Sequence, residues 1–582
     1  MYLLIIVVFS AVCLLVAYRV YGRLLAWRFQ LDPEAETPAV QLRDDLDYVP
    51  IEPKFLLSQH FSAIAAAGPI VGPILAGVMF GWLPALLWIL AGSIFIGGVH
   101  DMGSLVASIR HKARSIAEVV REHMSPLSYI LFLIFIWIAL VYIVVAFTDI
   151  VASSFIGTQT LENGMTVTGA GIASSSLLYL ALPIVMGVLL KFTKLSLNWA
   201  TIMFLPLVGV AIWVGQYIPF DLAALFNLEE TSAHKVWDVV LLAYCFAASL
   251  VPMWLLLQPR GHLGGYFLYI ALGGGMIGLI LGGETATYPA FTGWYSAAGD
   301  PLAPILFITI ACGACSGFHS IIASGTTSKQ LRRETDAKAV GYGAMLLEGM
   351  VAVVSLCCVM MVTPQAATAL QGKPNFIYAQ GIGSFLGVIG IPASFGISFG
   401  LLAFTTFVYD TLDVCTRLGR YILQELTGWS GSFGRWATTA LTAGAPLFFV
   451  TQTVTDAQGK VVPAWRLFWG LFGASNQLLA ALSLLGVTVW LWRTYRARWV
   501  WLVAGLPTLL MYVMSTWALL RFARVGFVQE GHWSVPTSPV PWVAVILVGL
   551  AGLVFVEALR VLLGGGQPPR RREPEVVAAT AG

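Results

Sequence analysis

Gly68-Pro69-Ile70-Val71-Gly72-Pro73 lies in the middle of a long apolar segment, 55–80. Two prolines and two glycines within six residues are expected to break an α-helix, because each proline removes a backbone donor and its ring clashes with the preceding turn. In hydrocarbon an unsatisfied backbone group costs several kcal/mol, so a broken spanning helix survives only where it faces protein or a watery cavity. Such discontinuous helices near the bilayer midplane form the substrate and ion sites of secondary transporters. The stretch therefore predicts a carrier.

The rest of the chain fits that expectation. Of 582 residues, 58% are hydrophobic and only 10% are charged, against about 25% charged in soluble proteins. Apolar runs of about 20 residues recur from end to end, the pattern of an all-α polytopic membrane protein. The first run has no basic residue before it; Arg19, Arg23 and Arg28 follow it, as in a retained first span rather than a cleaved leader. Nothing in the composition indicates a nucleic-acid partner; the expected surroundings are a lipid bilayer.

Fifteen spans are expected, at 2–22, 56–80, 82–109, 127–152, 173–191, 197–217, 236–257, 264–284, 301–324, 338–362, 380–412, 434–451, 464–490, 499–521 and 539–563. The eleventh is too long for one pass and predicts a short re-entrant or amphipathic piece before Pro392. With the N-terminus outside, only six of the 32 Lys and Arg fall in outer loops and span ends: Lys235, Lys373, Lys460, Arg466, Arg521 and Arg524. Every inner loop carries at least one, Arg260, Arg417 and the tail Arg570–Arg572 among them, which is the asymmetry of the positive-inside rule. The C-terminus is then cytoplasmic. The organisation reads as a first span and inner loop (1–55), a core (56–425), accessory spans (426–565) and a disordered inner tail (566–582). No nucleotide-binding loop, nucleophile elbow or soluble domain appears, so uphill transport must draw on an ion gradient, and no enzyme is expected.

The seventh span also reads as interrupted, at Ala248–Pro252. It lies five spans after the first interruption, and an odd offset inverts topology. Spans 2–6 and 7–11 therefore predict two inverted halves; the bland alternative makes Pro252 a simple kink. Substrate would meet His60, Gly68, Pro69, Gly72 and Pro73 on one broken span and Ser249 and Pro252 on the other. The amides freed at Gly68–Gly72 would face a carboxylate.

Intramembrane ionisable groups are costly and mark functional positions by default. The ninth span, 301–324, and the residues after it contain Cys312-Gly-Ala-Cys-Ser-Gly-Phe-His319-Ser-Ile-Ile-Ala-Ser-Gly-Thr-Thr327. Ser316, His319, Ser320 and Ser324 recur at helical spacing and can share a face. They suit ion coupling, or they are small residues that let helices pack. Glu348 lies deep in the tenth span and is the first proton-carrying candidate; Asp101 is the second. Asp149 and Glu284 sit near outer ends. Asp413 and Arg417, four apart, suit a helix-surface ion pair. Cys312 and Cys315 read as packing residues, and no metal site, cofactor or catalytic residue is expected.

The runs Leu46–Pro50 (LDYVP), His60–Ala76, Trp254–Arg260 (WLLLQPR), Phe307–Lys329, Gly341–Glu348 (GYGAMLLE) and Ser475–Leu484 (SNQLLAALSL) resemble the carbon starvation protein A family over residues 1–565. The resemblance implies a bacterial or archaeal inner-membrane carrier, tied to peptide uptake during carbon starvation or to proton-coupled pyruvate uptake. It also implies a leucine-transporter-like core of five plus five inverted helices. This sequence has Gln59-His60-Phe61 where the family often has two histidines, and Ser328 where it often has proline. The alternatives are a Na⁺-coupled carboxylate or amino-acid carrier, a passive channel, and an intramembrane enzyme. The last would need a nucleophile–base pair or metal cluster that the sequence does not show.

Overall fold

In hydrocarbon a chain can satisfy its backbone only as helix or closed barrel, and this chain chooses helix almost everywhere. The computed structural model describes residues 2–44, 48–160, 166–370, 373–429, 431–452, 462–529, 532–536 and 538–564. The expected tail from 566 lies outside them. Two short hairpins, Thr158–Thr160 with Thr166–Thr168 and Val528–Gln529 with His532–Trp533, close span ends.

Among the described residues, twelve helices are long and apolar enough to span, from Leu3–Arg28 to Pro539–Leu563. A bent pair, Pro53–Ile64 and Gly68–Phe80, which meet at 47°, passes the same test together and makes thirteen when counted as one span. The expected fifteen include two further segments that fail the length or apolarity test. The ninth is two short helices, Leu302–Thr309 and Gly317–Gly325, around a non-helical 310–316. The twelfth is the helix Gly431–Thr451. The eleventh stretch divides at Gly390–Pro392. Helix Pro374–Val388 folds back on the start of the 35-residue helix Ala393–Thr427, with Gly383 against Gly396 and Ala379 against Gly400.

Two expectations about breaks need correction. The first broken span does not break within Gly68–Pro73. It breaks just upstream, at Ala65–Ala67, and the motif opens the next helix with Pro69 in its first turn. A first-turn proline gives up a donor that has no helical partner anyway, and its fixed φ suits the helix start. Pro73 follows one turn later and is carried inside the helix. The seventh span has no mid-helix break at all. Helix Glu230–Leu250 simply ends before Pro252, and the chain turns through 251–256 into helix Leu257–Leu281. The Arg417 guanidinium donates to the carbonyls of Ala248 and Val251 at 2.7 and 2.8 Å, a cation at a helix C-terminus where the dipole favours it. Arg417 therefore does not form the expected surface pair with Asp413.

The partner of the first break is the ninth segment. The α-carbon of Gly68 lies against Cys312, and that of Gly72 against the Thr309 carbonyl, so close that a Cβ would sit 2.2 Å from Cys312 Sγ and 2.5 Å from Thr309 O. Helices Pro126–Ser154, Ala393–Thr427 and Ala464–Tyr495, of 29, 35 and 32 residues, form the central scaffold. The last of these, expected among accessory spans, has its whole apolar window buried. At about 1.5 Å per residue each outruns a bilayer core of about 30 Å. Peripheral helices such as Leu197–Tyr217 and Pro539–Leu563 turn Trp199, Ile202, Ile546 and Leu553 outward, as a lipid-facing belt requires.

Gly72→Ala is expected to destabilise the protein by about 1–3 kcal/mol, the usual cost of overpacking, because the Thr309 backbone cannot swing aside. Gly209→Ala, on an open face with nothing within 4 Å, should be neutral. Melting of the two variants in detergent checks this; equal melting temperatures would separate the two broken spans.

Candidate functional site

The non-helical 310–316 is fully buried, so its polar groups need partners inside the protein. Helix Ala464–Tyr495 supplies them. Asn476 Oδ1 accepts from the Phe318 amide at 3.0 Å, and its Nδ2 donates to Ser316 Oγ at 2.9 Å. Gln477 Nε2 donates to the Phe307 carbonyl at 2.5 Å, and Trp88 Nε1 to that of Ile310 at 3.3 Å. Three polar side chains thus hold open a gap that an apolar sequence could not sustain.

His319 stands in the first turn beyond that gap. Its Nδ1 lies 2.8 Å from Asp101 Oδ2, on helix Gly98–Arg110. Its Nε2 lies 3.2 Å from Glu348 Oε2, on helix Ala344–Met361, but outside hydrogen-bonding orientation. His100 Nδ1 meets the other Asp101 oxygen at 2.7 Å. All four side chains have zero exposure. An ionised Asp101 accepts from both imidazoles, which fixes their protons on Nδ1. His319 Nε2 then either carries a proton towards a Glu348 carboxylate or offers its lone pair to a Glu348 carboxyl. In either state the two groups face each other from different helices.

A second ionic cluster lies towards the recess. Arg260 is wholly buried, with Nε 2.9 Å from Asp410 Oδ1 and its NH1 group on Asp413 and the Tyr244 hydroxyl. Ser62 Oγ donates to Asp410 Oδ2 at 2.5 Å. Asp410 lines a narrow cavity with Gln59, His60, Gly261 and Thr327, holding about 30 Å³ of water-accessible space, enough for one or two waters. His60 Nδ1 is 2.8 Å from Thr327 Oγ1, while its Nε2 has no partner. Gln59 also lines a wider recess of about 430 Å³, edged by Glu52, Lys191, Trp254, His262 and Gln330. Gln59 thus stands in the wall of both the recess and the cavity beside His60.

The structure brings three expected residues, Asp101, His319 and Glu348, into direct contact, and places His60 apart from them beside the cavity. It does not place Gly68, Pro69, Gly72 or Pro73 on either recess; they are buried, with Gly68 and Gly72 packed on the other broken segment, because glycine allows that approach. Ser249 is buried near the Arg417 cap, and neither it nor Pro252 lines the cavity. Ser316 is held by Asn476. Ser320 bonds the Gly317 carbonyl and Ser483, and Ser324 caps Ile116, so these two are packing hydroxyls. Asp149, read from the sequence as near an outer end, is buried, with 3% exposure. Arg260, counted with the inner loops, is inside. His100, Arg260, Asp410, Asn476 and Gln477 were missed as site residues. The signal for the last two was present: a Ser-Asn-Gln triplet inside an apolar helix has to bond something.

The family described as Carbon starvation protein CstA matches residues 2–380 and 367–518. The chain is 32% identical over 593 residues to the Peptide transporter CstA of Escherichia coli (strain K12), covering 90% of this chain and 82% of that protein. It is 31% identical over 613 residues to the Pyruvate/proton symporter BtsT of the same strain, covering 91% and 83%. A solved Eremococcus coleocola manganese transporter aligns with 90% of this chain and 98% of its own, at 13% identity and a TM-score of 0.45. The chain belongs to the carbon starvation protein family.

Asn476→Ala strands the buried Phe318 amide, worth about 1–3 kcal/mol when unsatisfied, and leaves the Ser316 hydroxyl only Cys312 Sγ. Its melting temperature in detergent is expected to fall well below that of Ser483→Ala, which leaves Ser320 its bond to Gly317. Equal melting would remove Asn476 as the staple of the gap.

Proposed function

We propose that this protein is a proton-coupled symporter of the inner membrane that takes up pyruvate or short peptides, with His319, Asp101 and Glu348 carrying the coupling proton. The single observation behind this reading is an imidazole held between two carboxylates on three helices, with no exposure at all. An isolated charge there is expensive, so gain or loss of one proton changes which groups can stay together. His319 sits on the nine-residue half-helix that follows the gap, so protonation acts on a short helix next to the gap. Proton load is thereby linked to the arrangement of the broken spans. The names of the two relatives support these substrates, peptide in one and pyruvate in the other, and the second name supports the proton. The hydroxyls of Ser316, Ser320 and Ser324 are engaged with protein partners, which favours H⁺ over Na⁺.

In this reading the substrate is held by Gln59 and His60, with Arg260 behind them, and leaves by the recess. The unpartnered His60 Nε2 suits a carboxylate. A volume of about 430 Å³ admits pyruvate or a short peptide and selects neither. The recess is rimmed by connections that the charge pattern assigns to the cytoplasm, so the conformation is inward-facing, with the N-terminus outside. The two broken spans begin the inverted halves. They lie seven spans apart, an odd offset that reverses direction as well as five would.

Two experiments test this. In proteoliposomes, Glu348→Gln is expected to lose accumulation of labelled pyruvate or dipeptide driven by a pH gradient, by at least about tenfold, the scale of removing a positioned proton-transfer group. Counterflow exchange should persist. Accumulation at the wild-type level excludes Glu348 as the proton carrier, and loss of both activities makes it structural. Separately, in a cysteine-free background, cysteine at the exposed Thr335 should label only from the cytoplasmic side and cysteine at the exposed Thr231 only from outside. The reverse result inverts the topology.

A further inference from the structure

Near one end of helices Pro126–Ser154 and Glu230–Leu250, Asp149, His234 and Asp238 bring one ligand atom each to within 4.8 Å of one another. His234 and Asp238 are four residues apart and share a helix face. His234 Nε2 lies 3.2 Å from Asp149 Oδ1 and 3.1 Å from the Asp149 carbonyl. Asp149 Oδ2 accepts from the Trp465 amide at 2.7 Å, in the first turn of helix Ala464–Tyr495, and this leaves Oδ1 free to face the cluster. Asp238 is 1% exposed, and neither of its carboxylate oxygens has a hydrogen-bond partner. The adjacent Lys235 donates to the Thr451 carbonyl. A buried carboxylate with both oxygens idle, facing a second carboxylate and an imidazole, is a cradle for a cation.

We propose that Asp149, His234 and Asp238 bind one divalent first-row transition-metal ion, with Zn²⁺ the best match. One imidazole nitrogen with two carboxylates is a donor set that Zn²⁺ and Co²⁺ accept readily, whereas Mg²⁺ and Ca²⁺ prefer oxygen alone. The Trp465 amide orients Asp149 from behind, as partners of metal-binding carboxylates do. Binding requires His234 to be neutral with its Nε2 lone pair on the ion, so uptake of the metal releases a proton if His234 starts protonated. The ion would tie the ends of two spanning helices together beside the start of a third, away from the His319 row and the recess.

The test uses the purified full-length protein, stripped with chelator, in a His111→Ala/His123→Ala background. That background removes a second possible group, His111, Glu122 and His123. Co²⁺ is titrated and followed by visible absorption, and bound Zn²⁺ is measured by mass spectrometry after dialysis. One equivalent of either ion is expected, with a melting temperature that rises on binding and no competition from excess Mg²⁺. Asp238→Asn and His234→Gln should each weaken binding by at least about tenfold, the scale on which metal sites respond to losing even a supporting group. If either variant fails to fold, the other variant and the parent stoichiometry decide. Absence of stoichiometric Zn²⁺ and Co²⁺ in the folded parent overturns the proposal and leaves the cluster a shared-proton site. Undiminished binding in both variants overturns it as well.

Discussion

A backbone amide without a partner costs several kcal/mol in hydrocarbon, and this chain leaves its helical path twice in the same place. Ala65–Ala67 and 310–316 can both be non-helical because both are buried, because Gly68 and Gly72, just after the first, pack on the second segment, and because Asn476, Gln477 and Trp88 bond the second gap and its ends. The rest of the architecture follows from that requirement. Gly68 and Gly72 must be bare so that the two segments can touch. Helix Ala464–Tyr495 must be central, since its polar triplet is what the gap bonds to. The long helices must surround the pair closely enough to keep lipid out.

The same low dielectric governs the charges. Asp101, His319, Glu348 and His100 have no exposure, and Arg260 faces two carboxylates with none either. Buried ion groups of this sort contribute little to stability in themselves, because desolvation offsets most of the Coulomb gain, yet removing one partner leaves an uncompensated charge and is strongly destabilising. Each cluster therefore behaves as a unit. The row around His319 joins three helices, and the Arg260 cluster joins the start of helix Leu257–Leu281 to helix Ala393–Thr427, with Tyr244 and Ser62 reaching in from two more. The first is fully shut in, and the second borders the cavity at Asp410.

The features legible in the sequence were those fixed by single residues in conspicuous surroundings. A break near Gly68–Pro73 could be read from prolines among apolar residues, although its position was off by a few residues because Pro69 suits a helix start better than a helix end. Asp101, His319 and Glu348 stood out as ionisable groups in apolar helices, and they do converge. What failed was inference from linear position. Pro252 follows a leucine-rich run and read as a break within a span, when it marks the end of one. Arg260 follows a similar run and read as a loop cation, when Asp410 and Asp413, 150 residues away in sequence, draw it inside. Ser320 and Ser324 shared the His319 spacing, but their hydroxyls were claimed by Gly317, Ser483 and Ile116, partners that no local pattern names. Contact in space joins the first break to the ninth segment rather than the seventh, and linear order does not reveal such contact.

The turn at 251–256, which contributes Met253 to the cavity and Trp254 to the recess, is fastened at both ends to one helix. At its start, Arg417 grips the carbonyls of Ala248 and Val251; just past its end, Arg260 pairs with Asp410 and Asp413. All three of these anchors ride on Ala393–Thr427. A segment pinned in this way cannot flap independently as a lid. Any movement of the turn has to go with the 35-residue helix that holds it, whose other end lies against helix Pro374–Val388.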